Sequence, residues 1–316
     1  MSKKIITMGL SLLLAFSVFA TSVEKVSQGL EEFSIQLFDV IPNVALQQGV
    51  WPEAWIGKVF PIVPPHFGVG TSLGVAKLPL AGLNNALSQL NEVSGGASLP
   101  SLGENLVFPT LTADARIGGL FLPFDIGVSF MRLPNMTFGP ITFDFLTIGG
   151  SLRYAILQDK VLIPAISVGA GFMYNKGYVE VKVEDTAYVR SDFETTTIFF
   201  EAQVSKKLLF LVPFVGFRGV LDKSTNSWAW AYDVAFEGYG TIGQVEKGTV
   251  NRAFGDRFHP QIFGGIGFDI MLFHASLSAS YDFGQPLDQH LISHTMIIYS
   301  AARSSPQPLD LCLLSP

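Results

Sequence analysis

The chain has 316 residues, of which 48% are hydrophobic and only 15% charged. A water-soluble domain usually carries about a quarter charged residues, so part of this surface is expected to face something other than water. The formal net charge is −6 and no basic stripe is present, which excludes nucleic-acid binding; the single cysteine, Cys312, excludes a disulfide framework and a thiolate metal site.

Residues 1–20 read as a secretory signal peptide. Lys3 and Lys4 form a positive n-region, residues 5–19 an apolar core, and Val18-Phe19-Ala20 a small-residue cleavage site. Removing the two lysines takes the net charge from −6 to −8. The alternative is a retained anchor, for which the run is slightly short and lacks a charged stop. No Cys follows the cleavage site, so no lipid-modified N-terminus is indicated.

A helix is expected next, over 21–41. Thr21 and Glu24 fit a capping box, and Val23, Val26, Leu30, Phe33, Leu37, Val40 and Val44 recur at helical spacing. Pro42 should end or kink it. Residues 50–65, with Trp51, Pro52, Trp55, Pro61, Pro64 and Pro65, read as an ordered connector. From residue 66 the period becomes two. Phe67, Val69, Leu73 and Val75 share one face, and Gly68, Gly70, Ser72, Gly74 and Ala76 the other. A second helical piece, 80–91, carries Leu80, Leu83, Leu87 and Leu90 on one side before Ser94-Gly95-Gly96 breaks it.

Alternating segments then come in pairs: 110–119 with 123–132, 141–156 with 161–174, 193–205 with 208–221, and 260–270 with 272–283. The joins within pairs are very short. The connections between them, 133–140, 175–192 and 222–259, are long and are expected to be loops. Within 272–283, Phe273, Ala275, Leu277, Ala279, Tyr281 and Phe283 oppose His274, Ser276, Ser278, Ser280 and Asp282. Segments of about ten residues with one apolar and one small or polar face suit a membrane barrel. With one strand before the pairs and one after, at 290–299, the count is about ten, within a range of eight to fourteen. Residues 228–240 also alternate, as a hairpin arm or a further strand, and Trp228 and Trp230 there are expected in an interfacial belt. Tyr281-Asp282-Phe283 looks like a terminal strand, yet residues 303–316 that follow read as neither strand nor helix.

These features place the chain in the all-β class. They predict an antiparallel transmembrane β-barrel over 66–299, an N-terminal helix and connector over 21–65, a loop helix, and an irregular tail over 300–316. The leader, the paired segments from 110 to 283 and the sorting of connections by length resemble the outer-membrane β-barrels of double-membraned bacteria. The helical segment ahead of the barrel and the mixed lumen are also similar to long-chain fatty-acid transporter barrels with an N-terminal plug. The resemblance implies an outer-membrane location. The partners it implies are membrane lipid, the outer-membrane assembly machinery and a small apolar ligand.

No catalytic centre, cofactor or metal site is expected. His274 and Ser276 lie two apart on one strand face, a pairing that resembles the outer-membrane phospholipases. Here the pair points inward and lacks a placed Asn or Asp to orient the histidine, so polar lumen lining is the preferred reading. His290 and His294 have metal spacing only on a helix and no third ligand. Gly264-Gly265-Ile266-Gly267 and Gly169-Ala170-Gly171 lie inside strands and are read as places where a small barrel bends. Charges within strands should face inward, because Arg or Lys at the centre of a lipid-facing surface costs about 2–4 kcal/mol. Arg116, Asp125, Arg153, Glu201, Arg218 and Asp269 are therefore assigned to the lumen with His274 and Ser276, and Asp114 falls within a strand too. Phe199, Phe214, Phe263, Met131 and Met173 share the inward face by parity. Leu83, Leu87 and Leu90 are expected to pack into or over the barrel mouth as a lid or plug. The mixed interior points to diffusion or binding of small, partly apolar molecules; the long connections, with Trp228, Trp230 and Tyr239 in 222–259, leave open a non-transporting surface protein whose loops bind a partner, and a soluble periplasmic lipid-binding barrel is the third alternative.

Overall fold

The computed structural model describes residues 2–47, 50–54, 66–93, 101–118, 122–183, 187–236, 240–270, 273–284 and 295–300. In chain order these form α1 (Ser2–Gln47), β1 (His66–Pro79), α2 (Ala81–Val93), β2 (Asn105–Gly118), β3 (Phe124–Phe138), β4 (Ile141–Leu157), β5 (Ala165–Val183), β6 (Ala187–Ser205), β7 (Leu211–Phe236), β8 (Gly240–Arg252), β9 (Phe258–Ile270), β10 (Phe273–Asp282) and β11 (Thr295–Ser300). Strands β1 to β7 each pair antiparallel with the next, β7 pairs β9, and β9, β10 and β11 lead back to β1. Ten strands therefore form a closed antiparallel barrel. The eleventh, β8, pairs only with residues 224–236 of β7, above the stretch of β7 that meets β9. Among the described residues no helix is long and apolar enough to cross a membrane, which says nothing about strands.

Strand parity sets the two faces. On β5, Ala165, Ser167, Met173 and Asn175 are buried while Val168 and Phe172 are exposed. Among the described residues, the outward face of this level is mostly apolar, with Phe67, Val69, Leu111, Val128, Phe130, Ile148, Leu152, Phe200, Val215, Phe217, Ile266 and Leu277. Toward the other end of the barrel the outward face turns polar, with Lys176, Glu194, Asp192 and Arg190 on the same parity of β5 and β6. The hydrogen bonds that Arg190 donates to Asp192 raise its pKa above the ordinary value.

This polar stretch corrects the loop assignment. Residues 133–140, 175–192 and 222–259 are not long loops: most of each is strand. β3 reaches Phe138 and turns within two residues, β5 and β6 remain paired out to Val183 and Ala187, and β7 runs 26 residues to Phe236. The alternation simply continues with charged residues outside and apolar ones inside. The strands stand as arms beyond the apolar band, and their inner faces bury a second core. Phe108, Phe143, Phe145 and Phe193 stack there, with ring centroids 4.6–6.4 Å apart. Trp228 and Trp230 belong to this core as well, so they are not an interfacial belt. At the opposite end, β5 begins at Ala165 and β7 at Leu211, so Val161, Leu162 and residues 208–210, expected in strands, belong to the connections.

The arms close around two helices. Val26, Leu30, Phe33, Leu37, Val40, Ile41 and Val44 of α1 pack with Leu80 and with Leu83, Ala86, Leu87 and Leu90 of α2. α1 begins at Ser2, so Thr21 does not cap it, and it continues past Pro42 to Gln47. The buried face on both sides of the proline, Ile41 with Val44, Ala45 and Leu46, holds the helix beyond the lost backbone hydrogen bond.

Candidate functional site

The lumen is occupied by the chain's own N-terminal segment. Contacts along α1 and beyond it descend the barrel wall in order. Gly29 and Phe33 meet α2 at the arm end. Asp39 then pairs with Arg252 at 2.8 Å and Arg257 at 2.6 Å. Asn43 donates to Asp282 of β10 at 3.0 Å and takes a hydrogen bond from Gln261 of β9. Ala45 and Leu46 sit among Met173, Phe199 and Val220. The carbonyl of Leu46 accepts from Arg218 at 3.1 Å, those of Trp51 and Pro52 from Gln203 at 2.7 and 3.1 Å, and that of Glu53 from Arg153 at 3.1 Å. Ala54 N–H closes the series on Ser205 Oγ at 2.9 Å. The chain thus enters at the arm end and reaches the short-turn end by residue 54.

The wall residues that hold this segment are also paired with one another. Asp125 accepts from Arg153 through both carboxylate oxygens, at 3.0 and 2.8 Å, and from Arg116 at 2.8 Å. Glu201 accepts twice from Arg218, at 3.1 and 2.8 Å. Arg116 stacks over Trp51, and Arg218 lies over Phe199 and Phe263. Asp114 accepts from Ser129 at 2.6 Å and Ser72 at 3.2 Å. These side chains lie in the barrel's shielded interior, where a carboxylate needs charge or donors around it.

A second polar cluster lies where β9 and β10 end and the arms take over. His259 Nδ1 is 3.1 Å from Asp282 and its Nε2 is 3.4 Å from Asp222, which also accepts from Ser224 and faces Arg252 at 3.8 Å. With Asp39 this gathers three carboxylates, two guanidinium groups and one imidazole around the middle of α1. Sequence reasoning did not single out His259, Asp222, Asp282 or Asp39 as a group, because they come from four distant segments.

Most of the residues assigned to the lumen from sequence lie inside. Arg116, Asp125, Arg153, Arg218, Asp269 and Ser276 are buried, and Glu201 is half-buried and aimed at Arg218. Asp269 sits apart from the ring, bonded to Lys207 at the short-turn rim. The side chain of His274 lies outside the described residues, as do His290 and His294. Met131, Met173, Phe199, Phe214 and Phe263 point inward as their parity requires. Leu83, Leu87 and Leu90 are buried against α1 at the arm end. Two glycines read as bending points also make room: a Cβ on Gly171 would meet the Phe199 ring at 2.5 Å, and one on Gly267 would meet Pro52 at 2.8 Å. Among the described residues no group of His, Cys, Asp and Glu could hold a metal ion.

No protein-family model matches the chain and no curated protein does. Among solved structures, the translocator domain of autotransporter NalP from Neisseria meningitidis is 9% identical, with a TM-score of 0.38, covering 76% of this chain and 89% of that one. A Pseudomonas aeruginosa FadL homologue is 10% identical, with a TM-score of 0.25, covering 79% and 94%. OmpT, an outer membrane protein of Vibrio cholerae, is 9% identical with a TM-score of 0.14 over 75% and 98%. The barrel itself rests on the strand pairings given above.

Proposed function

We propose that this chain is an outer-membrane barrel, exported by its first 20 residues, that admits small, partly apolar molecules when its N-terminal segment shifts out of the lumen. The observation that carries this reading is the way the wall is neutralised. Arg153 and Arg218 each spend two donors on a wall carboxylate and one on a plug carbonyl. When the plug leaves, these arginines lose a single hydrogen bond, worth about 1.5–3 kcal/mol for a charged donor, and keep their ion pairs. Water can replace that bond. This holds for the lower segment, residues 46–54; higher up, the Asp39 of α1 is itself the partner of Arg252 and Arg257, so those pairs hold the helix in place. The rest of the lining, with Phe199, Phe214 and Phe263 beside Arg218 and Gln203, suits an amphipathic solute.

Removal of residues 21–54 tests this. The expected result is a barrel that still shifts with heating on a gel and conducts steadily in a planar bilayer, while the full chain stays closed with brief openings. Liposomes holding the full chain should swell faster in small amphipathic solutes than in sugars of equal size. A plugless barrel that folds and does not conduct ends the transport reading. So does a full chain that passes no solute of either kind.

One observation favours a second reading, that of a non-transporting surface protein: the N-terminal segment bonds to the wall from Asp39 at the arm end to Ala54 at the short-turn end. In that case the polar outer faces of the arms, around Lys176, Tyr178, Arg190 and Asp192, would meet the partner. Charge reversal at Arg190 and Lys176 should then abolish partner capture by whole cells and leave the barrel's gel shift unchanged.

A further inference from the structure

The short-turn end of the barrel carries apolar residues where a turn in water would carry polar ones. Val161, Leu162 and Leu209 are 92%, 91% and 89% exposed, and Leu122, Leu208 and Phe210 are more than half exposed. They occupy successive turns. Sequence extends the pattern to all four short connections: Leu120-Phe121-Leu122, Val161-Leu162-Ile163, Leu208-Leu209-Phe210 and Met271-Leu272-Phe273. Among the described residues, three connections on one rim carry exposed apolar residues, Leu122, Val161 with Leu162, and Leu208 to Phe210, a repeated surface unlike the single exposed leucines common on any protein.

We propose that this rim is a lipid-contacting surface, sunk in the apolar edge of the bilayer. The inference rests on the membrane-barrel reading above and adds where the barrel's lower boundary falls. The first argument is continuity. The outward apolar band comes down through Tyr154, Ile156 and Leu157 on β4 and Val204 on β6, and only Gln158-Asp159-Lys160 on one connection and Lys206-Lys207 on the other stand between it and the apolar turn residues.

The second argument is height. On β5 the outward band runs from Ile166 to Tyr174, with Lys176 above it. That is 174 − 166 = 8 residue steps. At about 3.3 Å a step along a strand tilted about 40°, it is about 20 Å tall. A membrane barrel presents an apolar band about 25 Å tall. The shortfall is the height of the turns themselves, so the rim completes the band.

The third argument is charge. The side chains of Lys206, Lys207 and Asp159 are tied to one another's chain or to Asp269, while Gln158 and Lys160 are exposed. The Lys206 ammonium donates to Asp159 at 2.7 Å, to the carbonyl of Ile163 at 3.2 Å and to that of Lys160; Lys207 N–H donates to Asp159 at 3.1 Å, and its ammonium pairs with Asp269. These bonds link adjacent turns and cancel their charges locally, as a low-dielectric setting requires. A soluble partner protein would meet the same surface in water, with no reason for the lysines to be turned back onto their own chain.

Four single-cysteine variants, each with Cys312→Ser and each labelled with an environment-sensitive fluorophore, test the proposal in phosphatidylcholine vesicles. Leu162→Cys and Leu209→Cys probe the rim, Phe172→Cys the band, and Lys182→Cys the arm. All four positions are exposed, so the gel shift should be kept. The expected result is that doxyl-labelled lipid quenches the labels at 162, 209 and 172, that aqueous iodide does not, and that the label at 182 behaves oppositely. Iodide quenching at 162 and 209 with lipid quenching at 172 overturns the rim proposal alone. Iodide quenching at 172 overturns the membrane-barrel reading and the rim proposal with it.

Discussion

Asp125→Ala is expected to destabilise the barrel by about 3–5 kcal/mol, the cost of removing one partner from a buried ion pair. Asp125 has no exposed side-chain surface and accepts three hydrogen bonds, two from Arg153 and one from Arg116. Both guanidinium groups are themselves buried. Alanine leaves two adjacent like charges in a shielded interior with one counter-charge fewer; Glu201, their other acidic neighbour, is engaged by Arg218. Asp125→Asn keeps the shape and some hydrogen bonding while losing the charge, and should fall between alanine and wild type. The measurement is urea unfolding of the vesicle-embedded barrel, followed by its shift on a cold gel. A loss below about 1 kcal/mol, the range of an exposed pair, would mean that water reaches Asp125. The account of a shielded, self-neutralised wall would then be wrong.

How much of this was legible in the sequence differs from one feature to the next. Alternation was enough to separate inward from outward on most strands, because a one-residue slip would turn every charge in Arg153, Glu201 and Arg218 toward the apolar face. It did not locate the ends of the strands. In 175–192 the outward residues are charged or tyrosine, which reads as a loop, yet the inward ones, Val179, Val181, Ala187 and Val189, bury a core. Charge on one face marks where the apolar band stops; the strand continues past it. Trp228 and Trp230 were misplaced for a related reason. Parity groups residues on a face and does not say which face is inside when the outer one is also uncharged, as with Ala229 and Ala231. The turns were misjudged as well, since Val161 and Leu162 extend the apolar pattern of β5 without being part of it.

The grip on the lower plug, residues 46–53, left no trace in the sequence at all. Its acceptors are the backbone carbonyls of Leu46, Trp51, Pro52 and Glu53, which every residue type offers equally. Only the donors have an identity, and Arg153, Arg218 and Gln203 read equally well as lining. The cluster around His259 was hidden by distance: Asp39, Asp222, His259 and Asp282 span most of the chain. What the sequence did carry was glycine inside helices, which costs about 1 kcal/mol relative to alanine. Gly29 in α1 and Gly82 in α2 each bear that cost, and the structure supplies the reason.

Gly29→Leu is expected to open the arm end of the barrel without unfolding its wall. Gly29 and Gly82 lie where α1 crosses α2 with backbones in contact. A Cβ on Gly29 would stand 2.7 Å from the backbone nitrogen of Ala86 and 3.0 Å from the carbonyl oxygen of Gly82, while one on Gly82 would stand 2.4 Å from the nitrogen of Phe33. The obstructing atoms are main chain, so no rotamer change relieves them and the helices must separate. Overpacking of a core costs about 1–3 kcal/mol, and with backbone on both sides the upper end applies. Separation also strips contacts from Leu30, Phe33, Leu83 and Leu87, which all lie in the shared core. The strand pairings that close the barrel involve neither helix, so the gel shift should persist with little change. The arm end should loosen: protease cleavage within α1 should appear where the wild type resists, and bilayer recordings should show longer openings. Gly29→Ala, with the smallest possible side chain, should show the same changes in weaker form. Leu83→Asp and Leu87→Asp reach the same core from the other helix by burying a charge there, and should agree with it. If Gly29→Leu is as closed and as protease-resistant as the wild type, then α1 and α2 do not hold the arm end shut. The closing element would then have to be sought in the lower lumen, at residues 46–54.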